Sequence, residues 1–596
     1  MTAKVISLRI PAGVQRDGTT FDAPCYTDGK WVRFQRGKPR KMGGYKAIFQ
    51  NASGISRGLI MSSMNGLNYV TSGTNNGLQQ WQTANGTGVG FGPTTYTMPG
   101  TFTSNANNLW QFDLGYDTSG GSTTNLVAHP GQNLSDISST VNTPVFQAPL
   151  VGTVMTKVGL FTVTATATSG STTLTLAQRY PLLAAANQDA RVFVGMSVSG
   201  TGIAVGTTVS GITAGSLAIT LSLATTAPIT AGAVTMDNNI SVSGGCCILN
   251  PYLFVYGNNG LIQNSEAGDF SYWNPSGSMA NATNVAGSKI VKGMPLRGGS
   301  QSPAGLFWSL DSLIRVSFTG TAPYWKYDLL TCQTSIMSSS SIIEYDGIFY
   351  WAGVDRFMCY NGTVQEIPNE ENMNYFFDNL NYAQRQKVWC TKVPRWGEIW
   401  WFYPHGQSTE CNNALIYNIR EKHWYDSSVN ADGSCRSAGH FSEVFRNPIW
   451  ADNTLNSAGT GYSLWEHETG LNRVNLSQET AIDSFIETNP IGYNTGGPGA
   501  NAVVGDNNWI RLERFEPDFV QTGAMNLWVT GTSYADEADV TTGPYTWNPD
   551  TPKIDLREQR REMRLRFQSN VVGGDYLMGR CLLSADVGDV RGNGNP

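Results

Sequence analysis

One repeated unit constrains this chain more than any other feature. Between residues 56 and 475, an aromatic-rich apolar strand, a Gly/Asn/Asp turn and a second strand recur. The clearest copies begin at Leu67, Leu109, Leu253, Leu306, Ile348, Ile399 and Ile449, with successive separations of 42, 144, 53, 42, 51 and 50 residues. Apart from the 144, these sit near the roughly 40–50 residues of a four-stranded propeller blade. An isolated blade cannot cover both faces of its sheet, whereas blades stacked radially cover one another and leave only short edges. Runs such as Phe349-Tyr350-Trp351 and Ile399-Trp400-Trp401-Phe402 read as strands buried on both faces. The expected fold is all-β: a propeller over 56–151 and 241–477, with six or seven blades.

The long separation has its own cause. Residues 152–240 change character: Thr, Ser, Gly, Ala and Val dominate, aromatics fall to Phe161, Tyr180 and Phe193, and charge nearly vanishes. Alternating segments such as FTVTATATS and LAITLSLA predict a small β-sandwich, immunoglobulin-like in general character, inserted in a propeller loop. Residues 1–55 read as an extended, irregular segment. Residues 478–596 alternate as half-buried strands do, Ile510 and Leu512 against Trp509, Arg511 and Glu513, and predict a C-terminal β-sandwich. One helix is expected at 369–388, with Asn369 as its cap and Met373, Phe376, Phe377 and Leu380 on a stripe docked against the propeller.

Composition agrees with strands rather than bundles. Only 14% of residues are charged, and Gly numbers 66, which suits short strands joined by tight turns. A formal net charge of −6 is not the footprint of a protein that grips nucleic acid. The nine cysteines are odd in number and show no C-x-x-C pair, so neither a disulfide framework nor a zinc site is indicated. No apolar run reaches the ~18–20 residues of a membrane span. The opening MTAKVISLRIPAG lacks a signal-peptide pattern, which leads to the expectation of folding in the cytoplasm of a host cell.

Chemistry is sparse. The five histidines (His129, His405, His423, His440 and His467) form no metal-binding spacing, and neither a P-loop nor a G-x-S-x-G elbow occurs. No cofactor is expected. A glycosidase propeller would need two carboxylates flanking the scissile bond. Here Asp311, Glu344, Asp346, Asp355 and Glu398 are scattered, and Asp346-Gly347 reads as a hairpin turn. Ser265-Glu266-Ala267-Gly268-Asp269 followed by Trp273 is similar to the turn motif of sialidase propellers, a structural motif that occurs once. The dense basic cluster Arg33, Arg36, Lys38, Arg40 and Lys41 reads as a solvated turn, or else as a contact to DNA phosphates or to an acidic neighbour.

Four stretches together resemble a family of short-tailed bacteriophage (podovirus) proteins, the tail nozzle or packaged-DNA stabilisation proteins. They are WVRFQRGKPRKMGGY (Trp31 to Tyr45), EYDGIFYWAGVDRFMCYNGTVQEIP (Glu344 to Pro368), GEIWWFYPHGQSTECNNALIYNIREKHWY (Gly397 to Tyr425) and REMRLRFQSNVVGGDYLMGRCLL (Arg561 to Leu583). The resemblance implies a non-enzymatic virion protein, six copies of which ring the DNA channel. It implies contact with an adaptor ring above and with tail fibres or spikes outside, double-stranded DNA passing through without sequence-specific binding, and no membrane span. Two alternatives accompany it. One is a fibre-attachment or host-surface-binding tail protein. The other, of a different class, is a secreted carbohydrate-active propeller.

Overall fold

The computed structural model describes residues 4–20, 23–84, 92–105, 108–119, 123–131, 136–181, 186–297, 302–491, 508–533 and 537–590. Seven sheets follow one another around an axis: six are built of four antiparallel strands in up-and-down order, and the seventh has four such strands extended at its outer edge by Arg473–Asn475, parallel to Tyr45–Ala52, and Gln478–Thr480. Their first strands are Gly58–Met64, Gln111–Asp117, Gly245–Leu249, Ile290–Leu296, Ile342–Tyr345, Trp389–Val393 and Arg436–His440. The last of these lies against the first, which closes the ring. The chain is therefore a seven-bladed propeller, the upper of the two expected counts. The sequence repeats coincide with second strands in six blades. In blade 2 the copy at Leu109 marks the first strand, and the second, Thr123–His129, carries no aromatic at all.

Aromatic side chains fill the layers between blades. Trp308 of blade 4 meets Trp351 of blade 5 edge-on at 5.7 Å, and Phe357 of blade 5 meets Trp401 of blade 6 at 5.0 Å. Trp389 of blade 6 meets Trp450 of blade 7 at 6.4 Å. Such pairs add about 0.5–1.5 kcal/mol beyond the area they bury. Glycine makes room for them: a Cβ on Gly439 would lie 2.4 Å from Trp450 and 2.7 Å from Trp389. The Asp346-Gly347 turn has φ of 51° and 80°, the pair of left-handed residues that a tight hairpin requires.

The N-terminal segment is strand-rich rather than irregular. Tyr45–Ala52 completes blade 7 by pairing with Tyr462–His467, so distant parts of the chain close the ring. Lys4–Ser7 joins the sheet formed by Leu582–Val590, Asn508–Glu516 and Ile554–Arg560. Asp28–Lys30 edges a second sheet made of Ser484–Glu487, Glu562–Ser569, Met525–Thr532 and Val540–Trp547. Leu512, Phe515 and Leu583 of the first sheet pack against Leu527, Leu565 and Phe567 of the second, giving the expected C-terminal sandwich. Phe515 stacks on Phe567 at 5.2 Å.

The inserted unit lies between blades 2 and 3. It is all-β with its own core of Phe161, Leu174, Val198, Ile219 and Val234. Its six strands form one sheet, however, rather than two facing sheets. The two end strands meet through a Ser197–Thr208 bridge and the bond from Val198 N to Thr207 O, so the sheet closes on itself. Short, strongly curled strands enclose so small a core more completely than two flat layers would. The α-helix is also shorter than expected, Met373–Asn379, followed by the 3₁₀ turn Tyr382–Lys387. Its first N–H groups donate to the carboxylate of Asp17, 2.8 Å from Asn374 N and 2.6 Å from Tyr375 N. Asn369 instead accepts from Asn372 N, just ahead of the helix. Phe376 docks on Phe357 and Tyr403 as the stripe requires.

Candidate functional site

The first strands of the blades wall a central funnel of about 380 Å³. Because each strand is the innermost of its blade, alternate side chains point at the axis, and seven short segments distant in sequence deliver polar groups to one place. Asp113 comes from blade 2, Lys292 from blade 4, Glu344 from blade 5, Lys392 from blade 6, and His440 and Glu443 from blade 7 and the loop after it. Arg57, Arg297 and Lys387 also line it.

Several of these groups also stitch the blades together. Asp113 accepts from Ile248 N of blade 3 and from its own neighbour Leu114 N, both at 2.8 Å. Burial raises its pKa, against the pull of these bonds and of Lys292 and Arg297. Gln111 donates to Gly244 O at 2.8 Å and accepts from Tyr256 Oη at 2.8 Å. Lys292 Nζ reaches Gln111 Oε1 at 3.5 Å. Burial lowers the lysine, partly offset by Cys247 and Asp113. Lys392 donates to Glu344 O at 3.0 Å, and Glu344 Oε2 lies 3.8 Å from its amine. Burial, with Lys392 and Lys292 nearby, depresses His440 to about 4, so its imidazole is neutral at physiological pH. Arg57 and Lys387 are both held by Glu410, at 2.7 and 2.8 Å.

The funnel thus combines a carboxyl whose proton persists to higher pH, further carboxylates, a neutral imidazole and amines. Such a wall can bind hydroxyls and a negatively charged group, and it can donate or accept protons. Among the described residues no group of three or more His, Cys, Asp or Glu is placed to hold a metal ion.

The basic cluster singled out in sequence sits elsewhere and is not one surface. Arg33 is fully buried, with Nη1 2.6 Å from Glu468 Oε2, Nη2 2.7 Å from Glu468 Oε1, and Nε 2.9 Å from Glu398 Oε1. Lys41 is also buried and donates to Gly574 O at 2.8 Å. Arg40 stacks over Trp396 at 5.0 Å. Lys38 is half-buried, and only Arg36 is largely exposed. The reading of Arg33 as part of a solvated or partner-facing basic turn is corrected here: Arg33 lies on the face of its strand that meets Glu398 in blade 6. Of the scattered carboxylates, Glu344 reaches the funnel, while Glu398 is buried against Arg33 and is not part of the funnel lining. The Ser265–Asp269 turn is structural, with Asp269 bonded to Ser271 N and to the Tyr180 hydroxyl of the inserted unit. Asp113, Lys292, His440 and Glu443 were not singled out as a group, because no local spacing relates them.

The fold and funnel define an all-β propeller with a polar central site. No family model matches the chain and no curated protein matches it. Among solved structures, the chain is similar to an exo-β-1,3-galactanase from Phanerochaete chrysosporium solved with galactose, at 9% identity and a TM-score of 0.24, covering 91% of this chain and 100% of that one. It is also similar to a glycoside hydrolase at 8% identity and a TM-score of 0.22, covering 90% of this chain and 100% of that one. The expectation of a non-enzymatic tail nozzle with a virion role is corrected as far as these comparisons go: no family model or curated protein of that kind matches, and these two structures are glycoside hydrolases. Likeness at this level says nothing about activity, so function is read from the funnel itself.

Proposed function

We propose that this protein is a carbohydrate-active propeller that receives a saccharide in its central funnel. One observation carries the reading: a single cavity gathers Asp113, Glu344 and Glu443 with Lys292, Lys392 and His440, from five blades. Glycoside cleavage needs one protonated and one ionised carboxyl on either side of the bond. Asp113, whose buried carboxyl holds its proton to higher pH, suits the acid. Glu443, exposed on the loop after the last blade's first strand, suits the partner that activates water. Lys292 and Lys392 suit an acidic group on the sugar.

The test is release of reducing ends from a panel of neutral and acidic polysaccharides by the full chain, beside Asp113→Asn and Glu443→Gln. The expected result is turnover that each substitution lowers by at least 100-fold, with binding of the same polysaccharide retained. Absence of both turnover and binding across the panel would overturn the proposal.

A further inference from the structure

Fourteen of the 17 tryptophans are buried; Trp396, Trp509 and Trp528 are the half-buried ones. Trp396 lies under the guanidinium groups of Arg33, Arg40 and Arg395, and Trp509 lies under that of Arg561. Trp528 differs. Its Nε1 donates to Gln568 Oε1 at 3.1 Å, and among the described residues its ring meets neither an aromatic ring nor a cation.

The strand register explains why that ring is left open. On the outer face of the five-stranded sheet, Asp28 pairs with Glu487, Glu487 with Arg566, and Arg566 with Trp528. On the next strand the pairing shifts by a bulge, which brings Gly543 beside the indole. Gly543 has no side chain to cover the ring, and a Cβ there would lie 3.4 Å from Trp528 Cε3 and 2.8 Å from Leu527 O. The row above runs Arg564, Thr530, Thr541, with the two threonine hydroxyls 2.9 Å apart.

These side chains line a cleft of about 600 Å³, within the ~300–1,000 Å³ range of small-ligand sites. Its charges balance, three arginines (Arg16, Arg564, Arg566) against three acids (Asp28, Glu487, Asp539). They are already paired with one another. Arg566 Nε lies 3.0 Å from Glu487 Oε2, Arg564 Nη1 lies 3.3 Å from Glu487 Oε1 and bonds Asp539, and Arg16 Nη1 lies 2.5 Å from Asp28 Oδ1. A charged ligand would gain little from groups so matched and would have to break their pairs. A polyhydroxyl ligand without charge loses nothing: each hydroxyl can bridge a paired donor and acceptor while a sugar face covers the indole.

The geometry points to a second site, on the C-terminal sandwich, that binds an uncharged saccharide with Trp528 as its stacking platform. It is separate from the funnel in residues and in expected ligand, so the two readings stand or fall independently.

The experiment presents the full-length protein to an array of neutral and acidic oligosaccharides, then titrates the best neutral binder by calorimetry against the parent, Trp528→Phe and Trp528→Ala. The expected result is at least 10-fold weaker binding for Trp528→Ala and a smaller loss for Trp528→Phe. Hydrogen exchange of residues 525–532 slows in the parent when the glycan is added. Asp113→Asn binds the neutral glycan as the parent does. Binding unchanged in Trp528→Ala, capture of acidic glycans alone, or no neutral glycan bound each overturns the inference. Should Trp528→Ala fail to fold, Trp528→Phe and the exchange at 525–532 decide it alone.

Discussion

Removing the Arg33 guanidinium by Arg33→Ala is predicted to loosen the junction of the N-terminal segment with blades 6 and 7. Arg33 lies between two carboxylates whose side chains are 0% and 7% exposed. The cluster carries one positive and two negative charges. Burial accordingly raises Glu398, while Glu468, which receives two of the Arg33 bonds and that of Trp396 Nε1, is held below the usual range despite its own burial. Without the arginine both carboxylates remain enclosed. Breaking a buried pair by removing one partner costs roughly 3–5 kcal/mol. The bonds to Glu398 from Tyr425 Oη at 2.7 Å and Trp400 Nε1 at 2.9 Å persist and favour the lower half of that range. The loss expected at pH 7.5 is therefore about 3 kcal/mol. It shrinks as the pH falls, because Glu398, raised by burial, takes up a proton and the enclosed charge falls. Hydrogen exchange of residues 28–42 reads the local opening free energy directly, which avoids assuming that so large a chain unfolds in two states. Replacing the cluster in full with Arg33→Met, Glu398→Gln and Glu468→Gln recovers most of the loss, because no charge is left without a partner. A change under about 0.5 kcal/mol for Arg33→Ala, or a loss independent of pH, would refute this reasoning.

Three further outcomes follow from the same structure. His129 is fully buried, accepts at Nδ1 from Gly131 N at 3.1 Å and is held at about 4 chiefly by burial. The unfolded chain thus binds more protons between pH 4 and 6.5, so stability is complete above about 6.5 and declines toward 4, by up to ~1.4 kcal/mol per pH unit, as urea midpoints at pH 7.5, 5.5 and 4.5 would show. Gly439→Ala forces a methyl between Trp389 and Trp450 and is expected to destabilise blade 7 by about 1–3 kcal/mol, visible as a lower denaturation midpoint by tryptophan fluorescence. Replacing 160–237 with a short turn leaves the propeller folded, since Asn238 N bonds Gly159 O at 3.1 Å and the two ends already adjoin; circular dichroism and funnel ligand binding should match the parent after correction for the lost strands.

Much of the architecture was legible in the chain itself. Aromatic runs such as Ile399–Phe402 are buried on both faces wherever they occur, so their spacing alone implies sheets stacked around an axis. The shift at residues 152–240 marks a unit with a separate core because few aromatics there can join the interblade layers. Tertiary structure decided the rest. The seventh blade could not be counted locally, because its fourth strand comes from Tyr45–Ala52, some 400 residues away from its partner. Arg33 looked like part of a basic surface until Glu398 and Glu468 were brought to it by blades 6 and 7. Asp113, Lys292 and the neighbouring pair His440 and Glu443 share no common spacing, since a propeller axis collects one strand from each blade and sequence separation carries no trace of that convergence. Alternation fixed which side chains leave the plane of a sheet; only closure of the ring decided which of them meet.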